Sequence, residues 1–194
     1  MYDRFRDTGR DLFVSGLVTS HGGNMSVRAG NRVLITRRGA MLGRLAHDDL
    51  VETRLGDQIA TPAASMELPV HRAIYRSTEA LAVVHTHPIH ATALSIVSQV
   101  VEPVDTEGSH LLGQVRVVVA NETVGSAEVA ELLPPILRND RIALVRGHGA
   151  FAVGETLEEA YMVSSALEAS ARILCLVRTL GTRGATGGGR TRRA

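Results

Sequence analysis

The chain has 194 residues, 44% hydrophobic and 21% charged, enough to bury one hydrophobic core without covalent staples. A net charge of +1, an aromatic content of 3% and the absence of tryptophan argue against a partner drawn from nucleic acid or an anionic membrane. The single cysteine, Cys175, rules out an internal disulfide and suits a reducing cytosol. The opening Met-Tyr-Asp-Arg-Phe-Arg-Asp has no apolar run before its first charges, and no stretch approaches the ~20 apolar residues of a membrane span. No secretory signal and a cytoplasmic location are therefore expected.

Residues 2–18 show apolar positions at helical spacing and predict an amphipathic helix. The polar turn Thr19-Ser20-His21-Gly22-Gly23-Asn24 follows. Met25–Arg28 and Arg32–Thr36 then read as paired strands around Ala29-Gly30-Asn31, and Asp48–Thr53 as a short strand. Ser65 is the expected N-cap of a helix to Ser77, with Pro69 in its first turn. Ala82–Thr86 is a short buried strand, and Pro88 opens a helix through Val97. Arg116–Ala120 is another strand. Ser126–Leu137 is a helix that Pro134-Pro135 should kink or end. Ile142–Val145 and Ala150–Val153 are strands. Thr156-Leu157-Glu158-Glu159 is a capping box that starts the longest helix, which should run to Leu180 with Gly181 as its C′ stop. The expected organisation is one domain over residues 1–181 and a flexible Gly/Arg-rich tail over 182–194. Interleaved strands and helices predict an α/β or α+β sandwich.

The chemistry concentrates in Val83-Val84-His85-Thr86-His87-Pro88. Alternate residues of a strand share a face, so His85 and His87 point the same way at the mouth of the strand. A third imidazole, His148, sits in the tight turn Arg146-Gly147-His148-Gly149 after another buried strand. Three neutral imidazoles with an open position make a catalytic zinc shell. Zinc is expected, with manganese and cobalt left open. Gly23 and Asn24 offer an anion-binding turn, and Ser65 a hydroxyl near a helix start. His71, His90, His47 and His110 are read as bystanders, Cys175 and Tyr161 as packing, and His21 as a neighbour of the anion site.

With these residues in place the chain resembles the class II aldolase and adducin family over everything but its tail. Gly22-Gly23-Asn24-Met25-Ser26-Val27-Arg28 is similar to the family's Gly-Asn-x-Ser-x-Arg loop, and Leu34-Ile35-Thr36 with Gly39 to the next strand and turn. Ser65-Met66-Glu67, followed by His71 and Tyr75, resembles the Ser-Ser-Glu helix start. The His85–His87 segment, the His148 turn and Thr156–Ala160 complete the order. The resemblance implies a central, mostly antiparallel sheet flanked by helices and a homo-oligomer, commonly a tetramer. It further implies retro-aldol cleavage of a sugar phosphate of the fuculose-1-phosphate type into dihydroxyacetone phosphate and an aldehyde. By the same resemblance Glu67 is the acid/base and a further metal ligand, and Gly23, Asn24, Gly39 and Ser65 hold the phosphate. Arg38, which the resemblance does not supply, is either a further anion contact or a solvated turn residue. Epimerases, dehydratases, decarboxylases and a non-enzymatic scaffold also occur in the family. Three departures stand out. Arg38 precedes the turn glycine where the family often has threonine, Met66 replaces the second serine, and Glu102–Ser109 lacks the family's downstream tyrosine. Asp105 or Glu107 is the candidate to stand in for that tyrosine.

Overall fold

Side-chain alternation along the strands divides the core in two. The computed structural model describes residues 1–57 and 61–185. Its strands are β1 (Asn24–Ala29), β2 (Arg32–Thr36), β3 (Leu50–Arg54), β4 (Ala82–Thr86), β5 (Val100–Val101), β6 (Val115–Val118), β7 (Ile142–Val145) and β8 (Gly149–Gly154). Its helices are α1 (Tyr2–Val14), α2 (Leu68–Ser77), α3 (Ile89–Val97), α4 (Thr106–Leu111), α5 (Ala127–Leu137) and α6 (Leu157–Ala185). The strands form one sheet in the order β3-β2-β1-β4-β8-β7-β6-β5. All pairs are antiparallel except β6 with β7, so the sheet is mixed and mostly antiparallel, as expected.

In β4 and β8, Ala82, Val84, Ala150 and Ala152 face one side. There they meet Phe5 and Leu12 of α1, Leu94 of α3, and Val163 and Leu167 of α6. The alternate residues Val83, Phe151 and Val153 face the other side, against Val70, Ile74 and Tyr75 of α2 and Val129 and Leu133 of α5. Both faces of the central strands are thus buried, which is why those strands read as short continuous apolar runs rather than alternating ones.

Several boundaries differ from expectation, each for a local reason. α1 ends at Val14, not at residue 18. Gly16 has φ +72°, the Gly16 N–H donates to the Phe13 carbonyl, and the Leu17 N–H donates to that of Leu12. This is a Schellman stop that reads in sequence as two more helical positions. α2 begins at Leu68 with Glu67 as its N-cap. Ser65 is not the cap; its carbonyl instead accepts the Leu68 N–H and closes a turn ahead of the helix. α5, by contrast, ends at Leu137 as expected, with Pro134 and Pro135 inside its last turn. α6 passes through Gly181 to Ala185, so Gly181 is not a stop, while residues 186–194 of the expected tail lie outside the described residues. β5, α4 and two single turns of 3-10 helix, Leu42–Arg44 and His47–Asp49, were not anticipated. α6 is long and apolar enough to cross a membrane by length and composition. However, its Leu157, Ala160, Val163, Leu167 and Ala171 are core residues of the sandwich.

One end of the sheet gathers the chemistry. β4 ends there, β1 and β8 start there, and the pairing sets Asn24 opposite His85 and His85 opposite Phe151. The segment before α2 lies along the end of β2. The Ser65 N–H donates to the Thr36 carbonyl and the Arg38 N–H to that of Ala63, so Arg38 and Gly39 stand beside Ser65.

Candidate metal centre and active site

His85 is the fixed point of the site. It is 1% exposed, stacks on Phe151 with ring centroids 4.1 Å apart, and places its Nδ1 3.0 Å from the Ala150 carbonyl. Donation from Nδ1–H to that carbonyl selects the tautomer whose Nε2 carries a free lone pair. That Nε2 is 3.0 Å from Nε2 of His87 and 3.3 Å from Nε2 of His148. Ligand atoms of all three histidines lie within 4.8 Å of one another. Metal–nitrogen bonds of about 2.0–2.1 Å in a tetrahedral shell would set nitrogens about 3.3 Å apart. The donor set therefore fits a divalent ion.

Desolvation is the main reason the imidazoles resist protonation. Burial holds His85 well below its ordinary value, with His87 and His148 adding repulsion. Burial and then His148 lower His87 to about 4, and burial lowers His148 against the opposing Thr123 carbonyl. The rings are thus neutral and ready to ligate at ordinary pH.

Glu67 completes the cluster. Its Oε1 is 3.9 Å from Nε2 of His148, its side chain is buried, and its Oε2 has no partner among the described residues. Desolvation raises its carboxyl to about 7, opposed by the Gly125 N–H. A carboxyl so poised exchanges protons readily near neutrality.

A cavity of about 230 Å³ opens over this cluster. Its wall brings together every residue expected at the site: Gly23, Asn24, Arg38, Gly39, Ser65, Glu67, His85, His87 and His148. His21 also lines it, as does Val124. Asn24 is buried with Oδ1 unpartnered among the described residues. Arg37 is spent on Asp49, with Nη2 to Oδ1 at 2.5 Å. Arg38 forms no ion pair among the described residues, and it lines both this cavity and the neighbouring one beside α2.

The bystanders sort themselves. His71 is fully buried, its Nδ1 2.6 Å from Ser26 Oγ, which also hydrogen-bonds Tyr75 at 2.7 Å. His90 pairs with Glu168, and His47 stacks on Tyr2. His110 is exposed on α4. Asp105 caps α4 by accepting the Gly108 N–H. Glu107 is exposed on that helix, and neither carboxylate lines the cavity. Sequence reasoning missed the loop before α5, where the Thr123 carbonyl bears on His148 and the Gly125 N–H on Glu67. The helix from Ser126 was legible, but nothing local shows that the preceding loop folds over the site.

Residues 3–175 match the family model described as the Class II Aldolase and Adducin N-terminal domain. The chain is 30% identical over 168 residues to an L-fuculose phosphate aldolase of Methanocaldococcus jannaschii, covering 86% of this chain and 91% of that one. It is 31% identical over 173 residues to a 3-oxo-tetronate 4-phosphate decarboxylase of Haemophilus influenzae, covering 85% and 82%. Among solved structures, the L-fuculose-1-phosphate aldolase of Thermus thermophilus superposes with a TM-score of 0.87 at 41% identity, over 98% of each chain.

The buried imidazoles give metal-free protein a definite response to acid. His71, lowered to about 3 by burial, stays neutral while its unfolded counterpart protonates near 6.5. His85 and His87 behave alike. The unfolded chain then binds more protons, so stability is full above 6.5 and falls as the pH drops. Glu67 works oppositely, gaining a proton in the fold from pH 7 downward, but it is one group against four, since burial lowers His148 as well. Urea unfolding of chelator-treated protein, at fixed concentration, should show a lower midpoint at pH 5 than at pH 7.5. The decline should be shallower in His71→Gln. A midpoint that is flat or rises toward pH 5 contradicts the burial of these rings.

Proposed function

The chain belongs to the class II aldolase and adducin N-terminal domain family, and from that premise we propose that it is a metal-dependent aldolase. It would cleave a ketose phosphate of the fuculose-1-phosphate type to dihydroxyacetone phosphate and an aldehyde. One observation carries the reading: three imidazole Nε2 atoms and the buried Glu67 carboxyl converge at the floor of a single cavity.

His85, His87 and His148 hold the divalent ion, zinc by preference for three imidazoles, with manganese or cobalt as alternatives. When bound, the ion supplies Lewis-acid polarisation of the substrate's ketone. Gly23, Asn24, Gly39 and Ser65 orient the anionic group, joined by the Arg38 guanidinium. As the carbon–carbon bond breaks, the hydroxyl on the departing carbon gives up its proton to solvent water and that carbon becomes the aldehyde. The electron pair left on the carbon next to the ketone takes up a proton from the Glu67 carboxyl, which solvent reprotonates. The 194 residues contain no lysine, so this chain offers no side-chain amine for a Schiff-base route to the same cleavage. We place the enzyme in the cytoplasm as a homotetramer. Apolar side chains exposed on α3 and α6, Ile96, Val97, Ile173 and Leu176 among them, support assembly.

A second reading keeps the ion and changes the bond that breaks. The likeness to the Haemophilus influenzae decarboxylase favours it, as does the absence of tyrosine from the cavity wall. Product analysis on fuculose 1-phosphate and on a 3-oxo sugar-acid phosphate separates the two.

Purified protein should carry about one divalent ion per chain. His85→Ala, His87→Ala and His148→Ala should each lose it, and His47→Ala and His110→Ala should keep it. Full metal occupancy in any of the first three overturns the centre. Glu67→Gln should retain the fold and lose at least ~100-fold in turnover. Near-normal turnover moves the proton transfer elsewhere. Arg38→Ala should raise the Michaelis constant for a phosphorylated substrate about ten- to a hundredfold, the scale of one charge-assisted contact, and far less for a dephosphorylated analogue. Equal small effects on both would leave the anion to the turn and Ser65.

A further inference from the structure

We propose that α3 sets the separation of His87 and His148, and that Glu168 and Ser95 are the positioning residues through which it does so. The inference rests on the metal-centre reading above. His85 needs no such help, because it lies inside the sheet, opposite both Asn24 and Phe151. The other two histidines lie just outside the ladder. The β4–β8 pairing ends at Thr86 with Ala150, one residue short of His87. The β7–β8 pairing ends at Val145 with Gly149, and His148 falls in the turn between. Strand register alone does not reach either residue. The His87 N–H donates to the Leu17 carbonyl and the His148 N–H to that of Val145, and these leave the approach of one segment to the other unfixed.

α3 closes that gap from both of its ends. It begins two residues after His87, and its N-cap, Pro88, has no side-chain oxygen to accept the orphan N–H groups of the first turn. Glu168 of α6 supplies the acceptor. Its two oxygens each lie 3.1 Å from the His90 amide nitrogen, and one lies 3.1 Å from that of Ala91. The His90 ring Nδ1 adds a contact at 2.7 Å. A carboxylate at a helix N-terminus also opposes the helix dipole favourably. Glu168 therefore fixes the start of α3, and with it Pro88 and the backbone of His87.

At the other end Ser95 is fully buried. Its Oγ accepts the Gly147 N–H at 2.9 Å, and its carbonyl accepts Arg146 Nε at 3.2 Å. Gly147 has φ +68°, the left-handed conformation that turns the chain so His148 faces the cavity. Ser95 thus holds the peptide that aims His148, and one rigid helix spans from one ligand's backbone to the other's. Neither Ser95 nor Glu168 lines the cavity, so neither touches substrate in this arrangement.

Two measurements on Ser95→Ala and Glu168→Gln test this. The first is zinc affinity, by competition with a chromophoric chelator well below the melting temperature of each variant. Both variants should bind zinc about ten- to a hundredfold more weakly than the parent, the usual scale for partners that orient metal ligands. Ser170→Ala, which removes another buried hydroxyl from α6, should bind as the parent does. Parental affinity in both variants, or an equal loss in Ser170→Ala, overturns the proposal. The second is amide hydrogen exchange of the metal-free protein. Exchange at Gly147 and His148 should speed at least about tenfold in Ser95→Ala, as expected for a lost anchor, and unchanged exchange overturns the proposal whether or not an ion binds. If the parent binds no zinc while exchange responds as expected, the metal reading fails and the positioning role of α3 stands. The two substitutions act at opposite ends of α3, so a variant that fails to fold leaves the other to decide.

Discussion

The His85 Nε2 lies 3.0 and 3.3 Å from those of His87 and His148 in a buried pocket, and when all three turn lone pairs inward, as metal ligation requires, they repel unless something positive lies between them. Protons are a poor answer here, because burial makes an imidazolium costly, as the lowered values of His85 and His87 show. A divalent cation shared among the three is the answer that the donor chemistry favours. Until that charge is supplied, the rest of the fold has to hold the rings together against their repulsion. Much of the local structure is intelligible as the means of doing so.

The rigid parts and the adjustable parts divide along the sheet. Apolar strands packed on both faces, with Ala82, Val83, Val84, Ala143, Leu144 and Phe151 all inaccessible, supply a frame that does not yield. Apart from His85, which lies within β4, the polar groups of the cavity stand at element ends and in loops, where side chains are free to reach it. Asn24 starts β1, His87 follows β4, His148 sits between β7 and β8, and Glu67 caps α2. Four separate stretches of chain meet there, and the loop around Thr123–Gly125 closes over them. Such a meeting point is precise because each stretch enters it from a buried element.

What was legible in the sequence follows from the range of the forces involved. Ala82–Thr86 and Ile142–Val145 were read to the residue, since a short apolar run bounded by turn signals is a local pattern. The shared direction of His85 and His87 followed from the pleat alone. Thr156 was legible as a cap, and its hydroxyl does accept the Glu159 N–H. Ser65 was misassigned because a serine ahead of a helix looks the same whether it caps or closes the turn before it. Only the Thr36 and Leu68 hydrogen bonds decide between the two. The two residues of β5 carry too little pattern to register. α4 was hidden by its capping Asp105, whose carboxylate looked like chemistry when it was holding a helix end. The family resemblance supplied the grouping of Gly23, Gly39 and Ser65, distant in sequence, that no periodicity predicts.

The departures from the family pattern bear on how a substrate's anionic end would be held under the proposed function. A threonine or serine hydroxyl accommodates an anion only within hydrogen-bond distance of a fixed backbone. An arginine places its donors at the end of a long, flexible stem and carries a charge. Met66 is 47% exposed, so the position that lost its hydroxyl still faces outward and has not become part of the core. Arg37 is neutralised by Asp49, whereas Arg38 beside it is not. The pair therefore leaves one net positive charge on the segment that lines the cavity rim. Exchanging two hydroxyls for one mobile cation relaxes the distance between the anion and the three histidines while preserving the demand for negative charge. On this reasoning the histidines and Glu67 determine which bond is activated. Arg38 and the turn around Gly23 determine how far from that bond the anionic group sits, and relatives with different substrates would diverge first at these rim positions.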